Sequence, residues 1–299
     1  MNTATRLPAS EFLRHCRAEI DQQLTDYMDH AGASQRLQDT MRYGLLGGGK
    51  RIRPALCLAA AEAVGGQRQI ALAPACALEM IHAYSLMHDD LPAMDDDNLR
   101  RGRATAHIAF DESSAILAGD ALQAEAFRVL ATAPGLSAEI KLAMVTALAN
   151  ACGASGMVGG QAIDLESVAR ILTLEQLENM HRHKTGALIE ASVHLGALAG
   201  GVTDAALLDA LARYARALGL AFQVQDDLLD IEGDTEVIGK TQGSDIARGK
   251  PTYPALLGSE GAREHLARLL AEAHDSLQGL GIQAQALHTM ADYVVARSH

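Results

Sequence analysis

The amino-acid sequence predicts an all-α protein, and three observations support that class. Apolar residues recur at three- and four-residue steps along most of the chain, as at Ile70, Ala73 and Ala77, which is the spacing of one face of a helix. Alanine and leucine dominate these runs, and both favour helices. No alternating polar and apolar run has hairpin turns beside it. We therefore expect a single all-α domain over residues 1–299, a bundle of about ten or more helices.

The predicted helices follow one another along the whole chain. In the first half they cover residues 10–30, 54–64, 70–84, 112–131 and 136–150. In the second half they cover residues 173–184, 187–199, 207–231, 260–278 and 284–297. Glycine pairs such as Gly65-Gly66 and Gly200-Gly201 fall between these runs and mark turns. No internal repeat or linker interrupts the series.

Composition and charge exclude several classes of protein. The 299 residues contain 25 Lys and Arg against 37 Asp and Glu, a formal net charge of −12 at pH 7, and 48% are hydrophobic. The apolar fraction is that of a globular chain, and the acidic balance argues against a nucleic-acid partner. No window approaches the roughly 20 uninterrupted apolar residues of a membrane span. The short polar segment 1–11 lacks the apolar core of a signal peptide.

The four cysteines are Cys16, Cys57, Cys76 and Cys152. No two are close enough in sequence for a metal-binding knuckle, and a chain of this length does not need a disulfide framework. We predict reduced thiols in the core of a cytoplasmic protein.

Two acidic clusters lie toward the C-terminal ends of two predicted helices. The first is HDDLPAMDDD over residues 88–97, and the second is QDDLLD over residues 225–230. The helix dipole disfavours a carboxylate there by roughly 0.3–1 kcal/mol, and two carboxylates about 4 Å apart repel by about 4 kcal/mol at an effective dielectric of about 20. Because apolar residues bracket both clusters, we expect a positive group to offset the repulsion. A solvated acidic helix end is the simpler alternative for either cluster alone.

The spacing of the carboxylates indicates what that positive group is. Asp226 and Asp230 are four residues apart and share one helix face. Asp89 and Asp95 are six apart, but Pro92 interrupts the helix, so the loop can bring Asp95 back beside Asp89. Carboxylates without a nearby cysteine suit a hard cation, and Mg²⁺ takes one or two protein carboxylates per ion together with phosphate oxygens.

Basic segments accompany both acidic clusters. GGKRIRP over residues 48–54 places Lys50 and Arg53 at the start of a predicted helix, where free N–H groups favour an anion. Residues 44–50 nearly form a nucleotide-binding loop, but Arg51 follows instead of Ser or Thr and no strand precedes it. Further basic residues follow the acidic clusters: Arg100, Arg101 and Arg103 after the first, and Lys240, Arg248 and Lys250 after the second. This order is what a metal–diphosphate site requires, ordinary alternation of surface charge being the alternative.

Other segments complete the set of motifs. DDLPAMDDDNLRRG (89–102) and FQVQDDLLD (222–230) resemble the two aspartate-rich motifs of the trans-polyprenyl diphosphate synthase family. GGKRIRP, HAYSLMHDD (82–90), HKTG (183–186) and GKTQGSDIARGKPTYPALLG (239–258) resemble further segments in the family's order. The resemblance covers roughly residues 40–297. Because four residues separate the aspartates of the first motif, it is closest to the bacterial farnesyl diphosphate synthases. It implies a helical bundle of the isoprenoid synthase type around a central cavity, and a homodimer.

The resemblance also implies an activity and a set of site residues. Isopentenyl diphosphate would condense head to tail with dimethylallyl or geranyl diphosphate to give farnesyl diphosphate and diphosphate, with three Mg²⁺ ions per active site. The implied metal ligands are Asp89, Asp95 and Asp226, with Asp90 and Asp230 nearby. The implied contacts of isopentenyl diphosphate are Lys50, Arg53, His82 and Arg101. The implied catalytic residues are Lys184, Thr185, Gln223 and Lys240, which together with Arg100 and Lys250 contact the allylic substrate. Gly186 is expected to permit a local break in the helix.

Product length is expected to depend on the residues just before the first aspartate-rich motif. Tyr84 lies five residues before Asp89, about 7.5 Å along a helix. Its ring is expected to form the floor of the product pocket, whereas Ser85 is too small to block it. In the family, bulk at this position limits elongation and a tyrosine is typical of farnesyl producers. An ordinary core aromatic is the alternative.

Several other functions compete with this reading. Geranyl or geranylgeranyl diphosphate synthesis would need the same motifs. A ferritin-like di-iron protein would use the two Glu-x-x-His pairs Glu79/His82 and Glu178/His181, but it leaves the aspartate and basic clusters unexplained. A terpene cyclase lacks a segment like GGKRIRP, and a non-catalytic subunit lacks one aspartate-rich motif.

Overall fold

The computed structural model describes residues 8–29, 32–168, 170–232, 251–280 and 282–297. Lys240, Arg248 and Lys250, which were expected near the allylic diphosphate or beside the second acidic cluster, lie outside the described residues. The first seven helices are α1 Ala9–Met28, α2 Gln35–Leu45, α3 Ile52–Ala63, α4 Arg68–Asp89, α5 Ala106–Ala109, α6 Glu112–Ala131 and α7 Ala138–Cys152. The remaining helices are α8 Met157–Ser167, α9 Leu174–His181, α10 Ala187–Ala199, α11 Ala205–Glu232, α12 Tyr253–Ser276 and α13 Gln285–Ala296. A π-helix, Arg182–Gly186, joins α9 to α10, and a 3₁₀-helix, Ile282–Ala284, precedes α13.

The predicted all-α class is confirmed, with several departures in detail. Helix α5 is a single turn of four residues and was not predicted. Helices α2 and α8 were not predicted either. Their buried positions are few and include polar or small residues such as Thr40 in α2 and Gly160 in α8, so neither has a continuous apolar stripe. Two short strands, β1 Leu99–Arg100 and β2 Arg103–Ala104, pair antiparallel with Leu99 opposite Ala104. Strands of two residues are too short to produce an alternating pattern.

Several helix starts follow from local capping chemistry. The Asp111 carboxylate accepts a hydrogen bond from the Ser114 backbone N–H at 2.6 Å and so caps α6. Thr173 and Gln176 form a capping box at the start of α9. At the start of α3 the cap residue Arg51 instead adopts a left-handed conformation with φ 53°. That conformation is uncommon for a residue with a side chain, and the tertiary contacts of Arg51 stabilise it.

The core centres on α3, α4 and α10. Almost every residue of α3 is buried, and its alanines let neighbouring helices approach closely. On α10, a Cβ added to Gly196 would lie 2.1 Å from the Cys57 carbonyl oxygen on α3, so the two backbones touch at this glycine. All four cysteines are buried and unpaired, which confirms the prediction of free core thiols.

Two described stretches are long and apolar enough to cross a membrane by length and composition. The first, Arg68–Asp89, is the core helix α4, and 78% of its apolar window is buried. The second, Ala138–Ser167, has 28% of its window buried and joins α7 to α8 across the turn at 153–156. Neither α7 nor α8 alone reaches the roughly 20 residues of a span. The described residues therefore contain no clear membrane span.

The fold places both acidic clusters at helix ends, as predicted. Helix α4 ends at Asp89, just before Pro92, since the residue preceding a proline disfavours the helical conformation. The chain then turns back, and the Asp95 backbone N–H donates to the Asp89 carbonyl oxygen at 2.9 Å. The expected return of Asp95 beside Asp89 is thus confirmed. The second cluster, residues 225–230, lies in the last described turns of α11.

Candidate active site

Two neighbouring carboxylates of the first acidic cluster have different surroundings: burial disfavours the charged form of Asp89, whereas Asp90 is bound by an arginine. Burial raises the pKa of Asp89 to about 6; Lys184 opposes this shift, and the neighbouring charge of Asp95 adds to it. Asp90 is buried and accepts three hydrogen bonds from the Arg100 guanidinium, at 2.6, 2.8 and 2.9 Å. Arg100, an expected contact of the allylic diphosphate, is therefore held in place by Asp90.

The four residues expected to hold isopentenyl diphosphate come together. Burial lowers the pKa of Lys50, Arg53 and Arg101, and in each case other cations of the site add to the effect. Burial, followed by the charges of Arg53 and Arg101, lowers the pKa of His82 well below its ordinary value. The imidazole of His82 is therefore neutral at pH 7. Three cationic side chains and a neutral imidazole thus converge, and the three positive charges are mutually unfavourable.

An unsatisfied donor points to an anion at this cation cluster. The Nε atom of Arg53 is buried and finds no hydrogen-bond partner among the described residues. Leaving a buried donor unpaired costs about 1–3 kcal/mol, so such groups in native proteins normally have a ligand or a water. The Arg101 guanidinium donates to the Gly48 carbonyl oxygen, which connects the turn after β1 to the loop before α3.

Two glycines on neighbouring helices pack closely against the backbone of the π-helix between α9 and α10. A Cβ at Gly160 on α8 would lie 2.1 Å from the Lys184 backbone nitrogen, and a Cβ at Gly219 on α11 would lie 3.0 Å from the Gly186 Cα. The expected local break is present as this π-helix. The reason given for it was wrong, however, because Gly186 has ordinary helical angles, φ −63° and ψ −39°. The close approach of α11 depends on the missing side chain of Gly219, since a Cβ on Gly186 would meet nothing on α11 within 4 Å.

The π-helix presents two of the expected catalytic side chains. The Lys184 ammonium donates to the Asp164 carboxylate at 2.5 Å, and Asp164 is only 6% exposed. The Thr185 hydroxyl donates to the side-chain oxygen of Gln223 on α11 at 3.1 Å. Thr185 and Gln223 are therefore adjacent, as the resemblance implied. Asp164 was missed in the sequence because it lies in α8; the spacing Gln161-x-x-Asp164 on one helix face was the available signal.

The second acidic cluster is linked to the C-terminal end of α13. Arg297 forms an ion pair with Asp226 at 2.8 Å, stacks 3.8 Å from the centre of the Phe222 ring and donates to the Phe222 carbonyl oxygen at 2.7 Å. Lys50 and Arg53 also lie within the electrostatic range of Asp226. Arg297 was not predicted, since nothing local to it indicates a partner on α11.

The carboxylates fit magnesium only in company with a phosphate ligand. In the described part of the chain, no three His, Cys, Asp or Glu side chains converge closely enough to hold an ion by themselves. Mg²⁺ is usually bound through one or two carboxylates plus substrate phosphates, so this arrangement fits a metal–diphosphate site. The hard oxygen donors of Asp89, Asp95 and Asp226 suit that ion.

The di-iron alternative is not supported by the described residues. Glu79 is buried and paired with Arg51 at 2.6 Å, and Glu178 is paired with Arg182 at 2.6 Å. The ring of His181 stacks on Tyr253 with centroids 5.5 Å apart. The two Glu-x-x-His pairs therefore have structural partners.

Tyr84 lies on the side of α4 that faces α6. It is 5% exposed, and its ring meets His88 edge to face with centroids 5.7 Å apart. Burial raises the pKa of Tyr84 to about 12. On α6, a Cβ at Gly119 would lie 2.1 Å from the His88 ring, so the two helices pack tightly here. The neighbouring Ser85 hydroxyl donates to the His82 carbonyl oxygen at 2.9 Å.

Comparison with known proteins identifies the same family that the sequence motifs resemble. The polyprenyl synthetase family model matches residues 34–284. The chain is 52% identical to farnesyl diphosphate synthase of Escherichia coli K12 over 265 residues, covering 87% of this chain and 89% of that protein. It is 45% identical to farnesyl diphosphate synthase of Geobacillus stearothermophilus, covering 98% and 99%, and 47% identical to the chloroplastic geranylgeranyl pyrophosphate synthase of Catharanthus roseus, covering 88% and 74%. A putative farnesyl-diphosphate synthase from Marinomonas sp. MED121 superposes with a TM-score of 0.84 at 42% identity, covering 97% of this chain and 99% of that one. This chain belongs to the polyprenyl synthetase family.

Proposed function

We propose that the protein is a magnesium-dependent prenyltransferase that makes farnesyl diphosphate. Dimethylallyl diphosphate and isopentenyl diphosphate give geranyl diphosphate and diphosphate, and a second isopentenyl diphosphate extends that product to farnesyl diphosphate. The observation that carries the proposal is the cluster of three cations, the half-buried Lys50 and Arg53 together with Arg101, beside two carboxylate-rich helix ends. Relatives named farnesyl diphosphate synthase at 45% and 52% identity support it.

The residues would act on the charges that the reaction creates. Cleavage of the allylic C–O bond leaves its electron pair on the diphosphate, so Arg100 and Lys184 would stabilise the leaving group. The double bond of isopentenyl diphosphate then forms the new C–C bond, and a proton passes to the departing diphosphate. Lys50, Arg53, neutral His82 and Arg101 would hold the diphosphate of isopentenyl diphosphate. Thr185 and Gln223 would lie beside the allylic cation.

Asp89, Asp95 and Asp226 would hold the magnesium ions, three per active site, together with the allylic diphosphate. When bound there, Mg²⁺ supplies positive charge that neutralises the leaving diphosphate. Desolvation raises the pKa of the Asp89 carboxyl, and a cation bound there would lower it.

Replacing the proposed ligands tests this function. In Asp89→Ala and Asp226→Ala, turnover of geranyl and isopentenyl diphosphates in Mg²⁺ should fall by orders of magnitude while circular dichroism shows an intact fold. Asp209→Ala is the matched control, because Asp209 is exposed and pairs only locally with Arg213 on the outside of α11. Wild-type turnover of either ligand variant would refute the assignment.

The product, assembly and location are part of the same proposal. Tyr84, buried before the first motif, would limit the product to C15. We expect a cytoplasmic homodimer, with the buried unpaired thiols supporting a reducing compartment. Apolar side chains on α6 and α7 are candidates for the dimer surface, since Leu117 is 57% exposed and Leu142 is 67% exposed. Light scattering should give twice the chain mass, and Leu117→Lys should lower it.

A further inference from the structure

Among the described residues, Asp227, the second aspartate of the second acidic cluster, accepts hydrogen bonds from donors on two different helices. Its Oδ1 atom accepts a hydrogen bond from the side-chain amide of Gln223 at 3.3 Å, one turn earlier on α11. Its Oδ2 atom accepts from the backbone N–H of Tyr253, at the start of α12, at 2.9 Å. Asp227 is 3% exposed. Both carboxylate oxygens are therefore turned toward protein donors.

Tyr253 is itself rigidly held. The Thr252 hydroxyl caps α12 by accepting from the Ala255 backbone N–H. The fully buried Tyr253 ring stacks between His181 and His265, with centroids 5.5 and 5.6 Å away. His181 is the last residue of α9, directly before the π-helix that carries Thr185. The anchor of Asp227 therefore also packs against the segment that presents the expected catalytic hydroxyl.

The carboxylate fixes the direction of the hydrogen bonds that follow it. An ionised carboxylate only accepts hydrogen bonds, so the Gln223 amide must turn its NH₂ group toward Asp227. The Gln223 oxygen then faces Thr185, whose hydroxyl donates to it at 3.1 Å. With its proton used in this way, the Thr185 oxygen keeps its lone pairs for the other side.

We propose that Asp227 is a positioning residue that sets this polarity rather than a ligand of the metal. The inference rests on the proposed function. Lone pairs on the Thr185 oxygen stabilise a neighbouring allylic cation, whereas a hydroxyl proton in their place repels it. Asp227 acts on the reaction through Gln223 and Thr185 without touching the substrate.

Exchanging the amide and the carboxylate tests the polarity directly. In Asp227→Asn, the amide of Gln223 is free to turn over, and kcat with geranyl and isopentenyl diphosphates should fall about 10- to 100-fold, the effect of losing a hydrogen bond to a charged group. Gln223→Glu should fall similarly, because two carboxylates then face each other. In the double variant Gln223→Glu/Asp227→Asn, the new carboxylate again accepts from Thr185 and the new asparagine bridges it to the Tyr253 N–H. The double variant should regain about tenfold or more in kcat over the weaker single variant.

Magnesium dependence separates positioning from metal binding. The Mg²⁺ concentration giving half-maximal activity should stay within about twofold of wild type in Asp227→Asn, while Asp226→Asn, the matched control one residue earlier, should raise it about tenfold or more. Thermal melting of each variant checks that it is folded at the assay temperature.

Three results would overturn the inference. The first is wild-type kcat in Asp227→Asn, and the second is a rise in its half-maximal Mg²⁺ equal to that of Asp226→Asn. The third is a double variant no more active than the weaker single variant. Absence of prenyl transfer by the wild-type protein would overturn the proposed function instead, so the two failures are distinguishable.

Discussion

The close packing of α8 against the π-helix leads to a quantitative prediction for Gly160→Ala. The new Cβ would lie 2.1 Å from the Lys184 nitrogen and 2.5 Å from its Cα. Ordinary contact begins near 3.4 Å, so the two backbones must separate by about 1.3 Å, the difference from 2.1 Å. Because the atoms met are backbone atoms, Lys184 and Thr185 must move with them. Misplacing a catalytic group by about 1 Å costs about 100-fold in rate, and we expect kcat to fall by about that factor.

Two other glycines make this a graded series. Gly219→Ala on α11 places its Cβ 3.0 Å from the Gly186 Cα at the end of the π-helix, so a smaller shift and a smaller loss are expected. Gly32→Ala adds the same methyl group where nothing lies within 4 Å and should leave kcat unchanged. The assay is steady-state kcat and KM with geranyl and isopentenyl diphosphates, paired with thermal melting, since overpacking alone costs about 1–3 kcal/mol of stability.

The order of kcat among the three glycine variants tests whether the close packing at Lys184 positions the catalytic residues. A Gly160→Ala enzyme with the kcat of Gly32→Ala would refute the close packing at Lys184. A fall in kcat that matched the unfolded fraction at the assay temperature would refute the positioning argument, because instability alone would then account for it.

Three further predictions concern other residues of the site and the core. Tyr84→Ala removes the expected floor of the product pocket, and chromatography should show C20 or longer products; an unchanged C15 profile would exclude that role. Arg51→Ala leaves the carboxylate of Glu79 buried and unpaired, so urea denaturation should show a loss of about 3–5 kcal/mol, and a loss below about 1 kcal/mol would contradict it. Asp164→Asn removes the counter-charge that holds the Lys184 ammonium. Its kcat should fall roughly tenfold or more with KM for isopentenyl diphosphate unchanged, whereas a change confined to that KM would count against the pairing.

The sequence predicted best where chemistry is local. Helix α6 was predicted over 112–131 and is observed at Glu112–Ala131, because its apolar positions and the capping residue Asp111 are adjacent in sequence. The loop after Asp89 was predicted for the same kind of reason, since Pro92 limits its own neighbours. The acidic and basic motifs could likewise be recognised, because their charged residues lie within a few positions of one another in the sequence.

What remained hidden depends on contacts between distant segments. The spacing of Asp164 from Gln161 is a weak signal by itself, and its pairing with Lys184, twenty residues later, is what places Asp164 in the site. Helix α12 was predicted to begin at 260 but begins at Tyr253, since the kink at Gly258, with φ 71°, interrupts its apolar pattern. Arg297 pairs with a carboxylate 71 positions earlier on another helix, and no periodicity or motif within one helix encodes that partner.

The electrostatics of the site are intelligible only with a charged ligand. Partial desolvation and the charges of neighbouring cations lower the pKa of Lys50, Arg53 and Arg101, while burial raises the pKa of the Asp89 carboxyl. Each of these placements destabilises the folded state. On an ordinary surface, by contrast, like charges are spread apart and solvated by water. Conflicts of this kind between stability and local charge are expected at functional sites. A diphosphate satisfies the cations and a divalent ion satisfies the carboxylates, so one metal–diphosphate ligand accounts for both clusters.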